Sequence, residues 1–158
     1  GRTVYKTFLA TEEHWRETRL LREDELELLD SVRLAPAIFQ EYVPAVADLR
    51  VTVVGPRIFA TAVSPAPGGY QVDYRMDLDG AEYRPTELDP ATEKLVNALM
   101  ERLGLVYGAI DFRRTPDGEE VFLEVNPAGE FLFIEERTGQ PISQAMASLL
   151  TDLDGGGR

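Results

Sequence analysis

Leu105-Val-Tyr-Gly-Ala-Ile-Asp-Phe112, followed by Thr115-Pro-Asp-Gly118 and Glu119-Glu-Val-Phe-Leu-Glu-Val-Asn126, is the stretch that decides the fold. Apolar and polar side chains alternate in both long segments, a pattern typical of half-buried strands. The pair Asp117-Gly118 between them is a favoured sequence for a type I′ hairpin turn. The sequence therefore predicts an antiparallel hairpin whose two loop residues are Asp117 and Gly118.

This turn fixes which residues face each other across the hairpin. It places Asp111 opposite Glu124, and Ala109 opposite Asn126. One face is then apolar and is expected to point into the core: Ile110, Phe112, Val121, Leu123 and Val125. The other face is expected to hold Ala109, Asp111, Arg113, Phe122, Glu124 and Asn126. A slip by one residue would expose the apolar set, so the register is well determined.

The polar face of the hairpin has a composition that suits a metal. The carboxylates of Asp111 and Glu124 would repel each other with β-carbons ~5 Å apart. A divalent cation removes that repulsion, and two carboxylates with the Asn126 amide are oxygen ligands suited to Mg²⁺. On the hairpin sequence alone, the alternative that these carboxylates simply point into water explains the pattern equally well. Pro127 and Gly129 favour a site, because they turn the chain off the sheet beside the last candidate ligand.

Composition limits the chemistry that the chain can perform. The 158 residues include no cysteine and one histidine, His14, which excludes thiol chemistry and argues against a histidine-based triad or metal centre. The net charge of −12 argues against binding to nucleic acids or anionic membranes. No apolar run approaches the ~18 residues of a membrane span, and no signal-peptide pattern is found. These features predict a cytoplasmic protein.

The remaining segments predict an α+β fold dominated by antiparallel hairpins. Strands are expected at residues 3–9, 37–43 and 72–76, and a hairpin is expected at 48–62. Helices are expected at residues 23–29, 90–103 and 141–150. The second helix begins after Asp89, ends before Gly104, and is expected to bury one apolar face made of Leu95, Val96, Leu99, Met100 and Leu103.

Several motifs resemble those of ATP-grasp ligases. Gly-Ala-Ile-Asp111-Phe, followed by Phe-Leu-Glu124-Val-Asn126-Pro-Ala-Gly129, resembles their C-terminal metal-binding segment. Residues 39–43 resemble the hinge that reads the adenine edge, and residues 48–55 resemble the motif that follows it. Residues 72–75, 103–111 and 135–142 are most similar to the maturases that macrocyclise ribosomally made peptides, the microviridin-type or graspetide ligases. The resemblance extends from Val4 to Leu150.

The resemblance implies the C-terminal portion of an ATP-grasp fold, an antiparallel sheet of hairpins with packed helices. Residues 1–45 would be the end of the N-terminal ATP-grasp subdomain with its hinge strand, residues 46–150 the C-terminal subdomain, and residues 151–158 a flexible tail. Family members carry roughly half of the enzyme before the strand that holds Lys6. The sequence is therefore expected to be a truncation, a fragment or one part of a split enzyme, completed by the missing N-terminal half or a partner chain. A homodimer is a further possible assembly.

The resemblance also implies ATP and Mg²⁺ as cofactors and assigns residues to them. Asp111, Glu124 and Asn126 would hold one or two Mg²⁺ ions. The nucleotide would be bound by Lys6 at the α- and β-phosphates, by Gln40, Glu41, Tyr42 and Val43 at the adenine, and by Asp48 at the ribose hydroxyls. An exposed strand lysine is the plain alternative for Lys6.

Two arginines are implied to be catalytic. Arg50 resembles the arginine near the γ-phosphate and the acyl-phosphate, and Arg75 is a candidate for the same intermediate or for the peptide carboxylate. A structural salt bridge is the alternative for each of them. The residue after Gly129 is often glutamine in relatives but is Glu130 here, which adds negative charge near the phosphates.

The implied reaction joins groups within a precursor peptide, which is the expected substrate and partner. A peptide carboxylate attacks the γ-phosphate to give an acyl-phosphate and ADP, and a hydroxyl or amine then displaces phosphate to close an ester or amide ring. Two alternatives stay open. One is another ATP-grasp carboxylate–amine ligase, such as a glutamate-adding enzyme. The other is a nucleotide-binding fragment with no turnover of its own.

Overall fold

The computed structural model describes residues 1–7, 18–69 and 72–155. The chain divides into two compact units. The first consists of Gly1–Pro44 with Pro65–Ala81, and the second of Ala45–Ser64 with Glu82–Arg158. In the described ranges, no helix combines the length and the apolar character that crossing a membrane requires.

The first unit contains a three-stranded antiparallel sheet in the order β2-β1-β3. Its strands are β1 (Thr3–Thr7), β2 (Arg19–Leu20) and β3 (Ala37–Glu41). The predicted strand at residues 3–9 is thus present as far as Thr7, and its last two residues lie outside the described ranges. The short helix expected at residues 23–29 is a longer 3-10 helix, Glu23–Arg33. It is tied to the sheet where the Tyr5 hydroxyl donates to Glu25 Oε1 at 2.9 Å.

The strand predicted at residues 72–76 is wrong, because this segment forms a 3-10 helix, Tyr74–Asp77. The side chain of Asp73 accepts a hydrogen bond from the backbone N of Arg75 at 3.2 Å and so caps the first turn. A short polar side chain that bonds to the backbone two residues on favours a turn over an extended strand. The alternation of apolar and polar residues in this segment favoured a strand in the sequence-based prediction.

The second unit is built on a five-stranded antiparallel sheet in the order β6-β5-β4-β7-β8. Its strands are β4 (Ala47–Val54), β5 (Arg57–Ser64), β6 (Glu82–Thr86), β7 (Tyr107–Arg114) and β8 (Glu120–Asn126). Its helices are α1 (Pro90–Leu103), α2 (Leu132–Thr138) and α3 (Ile142–Gly155). The α+β class and the packed hairpins predicted from the sequence are confirmed. Helix α3 continues five residues into the segment that the sequence predicted as a tail.

Helices cover both faces of this sheet. On one face, Val51 and Ile110 pack in a core with Val96 and Met100 of α1. On the other, Val54 packs with buried residues of α2 and α3: Ile134, Ile142 and Ala145. Burial on both sides explains why Arg50 and Thr52 of the central strand β4 are buried although they are polar, and why Asp48 is only partly exposed.

Helix α1 begins and ends as predicted, but its buried face is narrower than expected. The Asp89 side chain accepts from the backbone N of Ala91 at 2.8 Å, and the chain leaves the helix at Gly104. Leu95 and Leu103 are 70% and 50% exposed, so their predicted place in the core is wrong. Leu95 lies about 100° around the helix from the buried Val96. Leu103 shares the face of Val96 and Met100 by its spacing, but it is the last residue of α1 and lies at the end of the contact with the sheet.

The turn of the β7–β8 hairpin differs from the predicted type I′ turn. Gly118 has a positive φ of 88°, whereas Asp117 does not, and both central residues of a type I′ turn require one. Thr115 N donates to Glu119 O at 2.9 Å, which closes a three-residue loop ending in the left-handed glycine. This is the three-residue hairpin loop, and it changes the register near the turn by one residue.

A β-bulge restores the predicted register at the polar site. Phe112 pairs with Phe122, but Asp111 pairs with Glu124, so Leu123 is the extra residue. The predicted pairs of Asp111 with Glu124 and of Ala109 with Asn126 are therefore confirmed. The predicted facing of Phe122 is wrong: its ring contacts that of Phe112 edge-on, with centroids 5.8 Å apart.

Two buried threonines on one face of the sheet allow a matched test of this packing. The Thr61 hydroxyl donates to Gln140 Oε1 at 2.7 Å, whereas the equally buried Thr52 hydroxyl has no hydrogen-bond partner among the residues that the structure describes. Thr61→Val should lower the free energy of unfolding by about 1 kcal/mol, because it leaves a buried amide oxygen with one bond fewer. Thr52→Val should leave it unchanged or raise it. Urea denaturation measures both, and a larger loss for Thr52→Val would contradict the described packing.

Candidate functional site

Three neighbouring strands place Arg50, Asp111 and Glu124 in one row across the sheet. Asp111 of β7 pairs with Arg50 of β4 on one side and with Glu124 of β8 on the other. Partners in register project to the same face, and Asn126 follows two residues later on that face. The three metal ligands predicted from the sequence are thus brought together beside an arginine.

Arg50 is a buried cation that binds both Asp111 and the loop that follows β8. Its side chain is 10% exposed. Nη1 lies 2.9 and 3.1 Å from the two carboxylate oxygens of Asp111, and Nη2 donates to the backbone oxygen of Glu130 at 2.9 Å. The Phe133 ring lies against the guanidinium, 6.0 Å from its centroid.

The position of Arg50 changes the electrostatic argument made from the sequence. Repulsion between Asp111 and Glu124 was the reason to expect a cation, and Arg50 already supplies a positive charge to Asp111. The row still carries one negative charge in excess. Repulsion alone therefore argues less strongly for a metal than the sequence suggested, and the oxygen donors are the better argument.

The donors present fit a magnesium ion that also takes ligands from a substrate. Asp111 keeps 22% of its side chain exposed, and Glu124 is exposed on β8, the end strand of the sheet. Among the residues that the structure describes, no group of three or more Asp, Glu or His is arranged for a metal. Two carboxylates and one amide are an incomplete set, as is usual for Mg²⁺, which fills its octahedron with water and phosphate oxygens.

Asn126 has its amide oriented by the backbone that follows it. Its Oδ1 accepts a hydrogen bond from the backbone N of Ala128 at 2.9 Å. This turn fixes the direction of the side chain. The amide oxygen has a second lone pair for another partner.

Gly129 lets the loop approach the sheet more closely than any other residue could. A β-carbon at this position would lie 2.5 Å from the β-carbon of Ala109 and 3.0 Å from Arg50 Nη2. The Tyr107 hydroxyl donates to the backbone oxygen of Gly129. Burial raises the pKa of Tyr107, against a smaller opposing effect from Arg50.

Sequence reasoning identified Gly129 only as a turn and did not identify Tyr107. The spacing of Tyr107, four residues before Asp111, was the available signal, since residues two and four apart share a face of a strand.

Asp48, the predicted ribose ligand, lies in a largely buried ion pair. Arg113 Nε is 3.4 Å from Asp48 Oδ1, and the two residues are register partners on β7 and β4. Arg113 is thus a residue whose importance the sequence did not reveal. An ion pair that links two central strands accounts for Asp48 without a nucleotide.

The other predicted nucleotide contacts belong to the first unit. Lys6 lies on β1 opposite Ile38, and Gln40 and Glu41 are exposed on β3, an end strand of its sheet. Tyr42 follows β3, with the guanidinium of Arg2 over its ring at 4.6 Å. Val43 comes next and is partly buried.

Arg75 forms the salt bridge that was its structural alternative. Its Nε and Nη2 donate to the two carboxylate oxygens of Asp73 at 2.7 and 2.8 Å. Burial acts to raise the pKa of Asp73, but the hydrogen bonds and charge of Arg75 outweigh it, so the pKa is lowered. Asp73 is buried, whereas 41% of the Arg75 side chain stays exposed.

Comparison with solved structures identifies the fold. The macrocyclase MdnC of Microcystis aeruginosa, solved bound with precursor peptide MdnA, is 35% identical with a TM-score of 0.81, over 95% of this chain and 48% of MdnC. A RiPP-associated ATP-grasp ligase of Chryseobacterium gregarium, solved with ADP and a leader and core peptide, is 31% identical with a TM-score of 0.81, over 96% of this chain and 48% of that protein.

The chain belongs to the ATP-grasp superfamily. No family model matches it. A curated relative, the probable alpha-L-glutamate ligase 2 of Shewanella amazonensis, is 30% identical over 137 residues, 85% of this chain and 44% of the relative. This ATP-grasp chain therefore spans about half the length of the proteins that it matches.

Replacing Gly129 tests the close contact between the loop and the sheet of this ATP-grasp chain. We expect Gly129→Ala to lower the free energy of unfolding by about 1–3 kcal/mol, because the new methyl group overlaps Ala109. Gly155→Ala is the matched control, since a β-carbon there meets no atom of the described residues within 4 Å. Equal stability of the two variants in urea denaturation would contradict the described contact.

Proposed function

We propose that this chain carries the magnesium- and nucleotide-binding part of an ATP-grasp ligase that closes ester or amide rings in a ribosomally made precursor peptide. The row of Arg50, Asp111 and Glu124, with Asn126 beside it, is the observation that carries the proposal. Similarity at 35% and 31% identity to ligases solved with such peptides supports the choice of substrate.

The second unit would supply the metal ligands. Asp111, Glu124 and Asn126 would hold Mg²⁺, which when bound neutralises charge on the phosphates. Arg50 would orient Asp111 for this task through the bond between Nη1 and both carboxylate oxygens. From the same position it would lie near the γ-phosphate and add positive charge where the transferred group becomes more negative.

The first unit would supply the remaining nucleotide contacts. Lys6 would bind the α- and β-phosphates, and Gln40 to Val43 would line the adenine pocket. The position of β3 at the end of its sheet supports this, since an end strand presents backbone donors and acceptors to a ligand. Asp48 would meet the ribose while paired with Arg113. Arg75 would bind the peptide carboxylate through its exposed part.

We also propose that residues 1–45 and 46–150 are parts of the two ATP-grasp subdomains. The division of the compact units at Pro44 supports this boundary. Pro65–Ala81 then belongs with the first of them.

The protein would contribute positioning and positive charge to this reaction, and no covalent intermediate would form on a side chain. A carboxylate oxygen of the peptide attacks the γ-phosphorus, and the bond to ADP breaks to give an acyl-phosphate. A hydroxyl or amine then attacks the acyl carbon, and phosphate leaves with the electron pair of the carbon–oxygen bond. In the overall balance, the phosphate takes up the proton that the attacking group loses. Arg50 and Lys6 would stabilise the charge on the phosphate oxygens in both steps.

A glutamate-adding ligase is the second candidate, because the curated relative carries that description. The two reactions differ in mass. When the chain is incubated with ATP and a peptide rich in Ser, Thr, Glu and Asp, the peptide should lose the mass of one water for each ring that is closed if the proposal is right. Addition of glutamate residues from free glutamate would support the second candidate. A chain that binds nucleotide and modifies neither substrate would be the nucleotide-binding fragment.

Calorimetry with ADP and Mg²⁺ tests the metal site directly. Glu124→Gln should weaken magnesium-dependent nucleotide binding by at least about tenfold, because the variant removes a charged ligand. Glu124 is exposed on an end strand, so the fold should tolerate the change.

Glu93→Gln is the control, since it removes the same charge from an exposed position of α1, the helix on the other face of the sheet. Equal affinities of the two variants, or no binding by the unaltered chain, would contradict the proposed site.

A further inference from the structure

The loop after Asn126 has one buried residue where it meets the sheet. Pro127, Ala128 and Glu130 are exposed, whereas Gly129 is buried. The backbone N of Gly129 donates to Asn126 O at 3.3 Å, so the turn that begins at Asn126 ends at the buried point. The placement of Gly129 on the sheet therefore determines where this turn lies.

Two side chains of the sheet bind consecutive carbonyl groups of the loop. The Tyr107 hydroxyl of β7 donates to Gly129 O, and Arg50 Nη2 of β4 donates to Glu130 O at 2.9 Å. The same guanidinium binds Asp111. Arg50 has a predicted role at the phosphates. Tyr107 has no predicted role there, and its hydroxyl donates to the loop.

We propose that Tyr107 is a positioning residue for the metal and nucleotide: by holding Gly129 O it fixes the turn that orients the Asn126 amide. This inference rests on the proposed function for the identity of the ligand, and on the described contacts for the geometry. The ring of Tyr107 is itself fixed by the ring of Phe131, with centroids 6.2 Å apart. Burial raises the pKa of the phenol, so the hydroxyl stays a neutral donor at physiological pH.

Tyr107 acts on Asn126 through two hydrogen bonds of the turn, each donated by a backbone N. With Gly129 O held on the sheet, Gly129 N reaches Asn126 O, and Ala128 N reaches Asn126 Oδ1 at 2.9 Å. Loss of the Tyr107 hydroxyl removes one of the two side-chain hydrogen bonds that hold these carbonyl groups in the described structure, and the bond from Arg50 remains. The Asn126 side chain then samples more directions, and a metal ion loses part of the preorganisation of its amide ligand.

The test compares Tyr107→Phe, which keeps the ring and removes the donor, with Thr61→Val. The control removes a buried hydrogen bond on the same face, between Thr61 and Gln140, and none from the loop. Amide exchange followed by NMR in the nucleotide-free chain should become about five- to tenfold faster at Ala128 and Gly129 in Tyr107→Phe. Thr61→Val should leave these two rates within about twofold of those of the unaltered chain.

Binding provides the second readout. Calorimetry with ADP should give an affinity about fivefold weaker for Tyr107→Phe when Mg²⁺ is present and the same affinity when it is absent. Unchanged exchange at Ala128 and Gly129, or faster exchange with unchanged magnesium-dependent affinity, would overturn the positioning role. If the unaltered chain shows no magnesium-dependent binding, the proposed function fails, and exchange alone decides whether Tyr107 holds the loop.

Discussion

The guanidinium of Arg50 lies buried between the carboxylate of Asp111 and the backbone oxygen of Glu130, and much of the site depends on it. It joins β4 to β7 through a charged pair, and it holds the loop that leads from β8 into α2. A buried arginine without such partners would be strongly destabilising. The site is therefore ordered by the same contacts that allow its cation to be buried.

This arrangement explains why the polar residues stand where they do in a sheet covered on both faces. The α2–α3 side buries the row of Asp48, Arg50 and Thr52 on β4, whereas the end strand β8 leaves Glu124 exposed. The charged side chains of β4 are thus in the interior, whereas the carboxylate of Glu124 is accessible to solvent at the edge. Asp111, Glu124 and Asn126 would hold a metal at this edge, and a nucleotide would supply further oxygen ligands.

Much of the hairpin could be predicted because its apolar alternation restricts the register. The predicted pairing of Asp111 with Glu124 is correct although the predicted turn type is not. The loop has one residue more than predicted, and the bulge at Leu123 shifts the register back by one residue. No local pattern announces such a bulge. The ion pair of Arg50 with Asp111 spans 61 residues and depends on which strands become neighbours. Similarity to known ligases named both residues, but only the strand order brings them into contact.

We propose that Asp111, Glu124 and Asn126 form a metal site that needs a nucleotide to be complete. Paramagnetic broadening by Mn²⁺ tests it most directly, because this ion replaces Mg²⁺ at oxygen ligands and reports on nearby amides. With ADP present, substoichiometric Mn²⁺ should broaden the amide signals of Asp111, Glu124 and Asn126 before those of α1, and without ADP the effect should be much weaker. Broadening spread evenly over the acidic surface, or unaffected by ADP, would contradict the account.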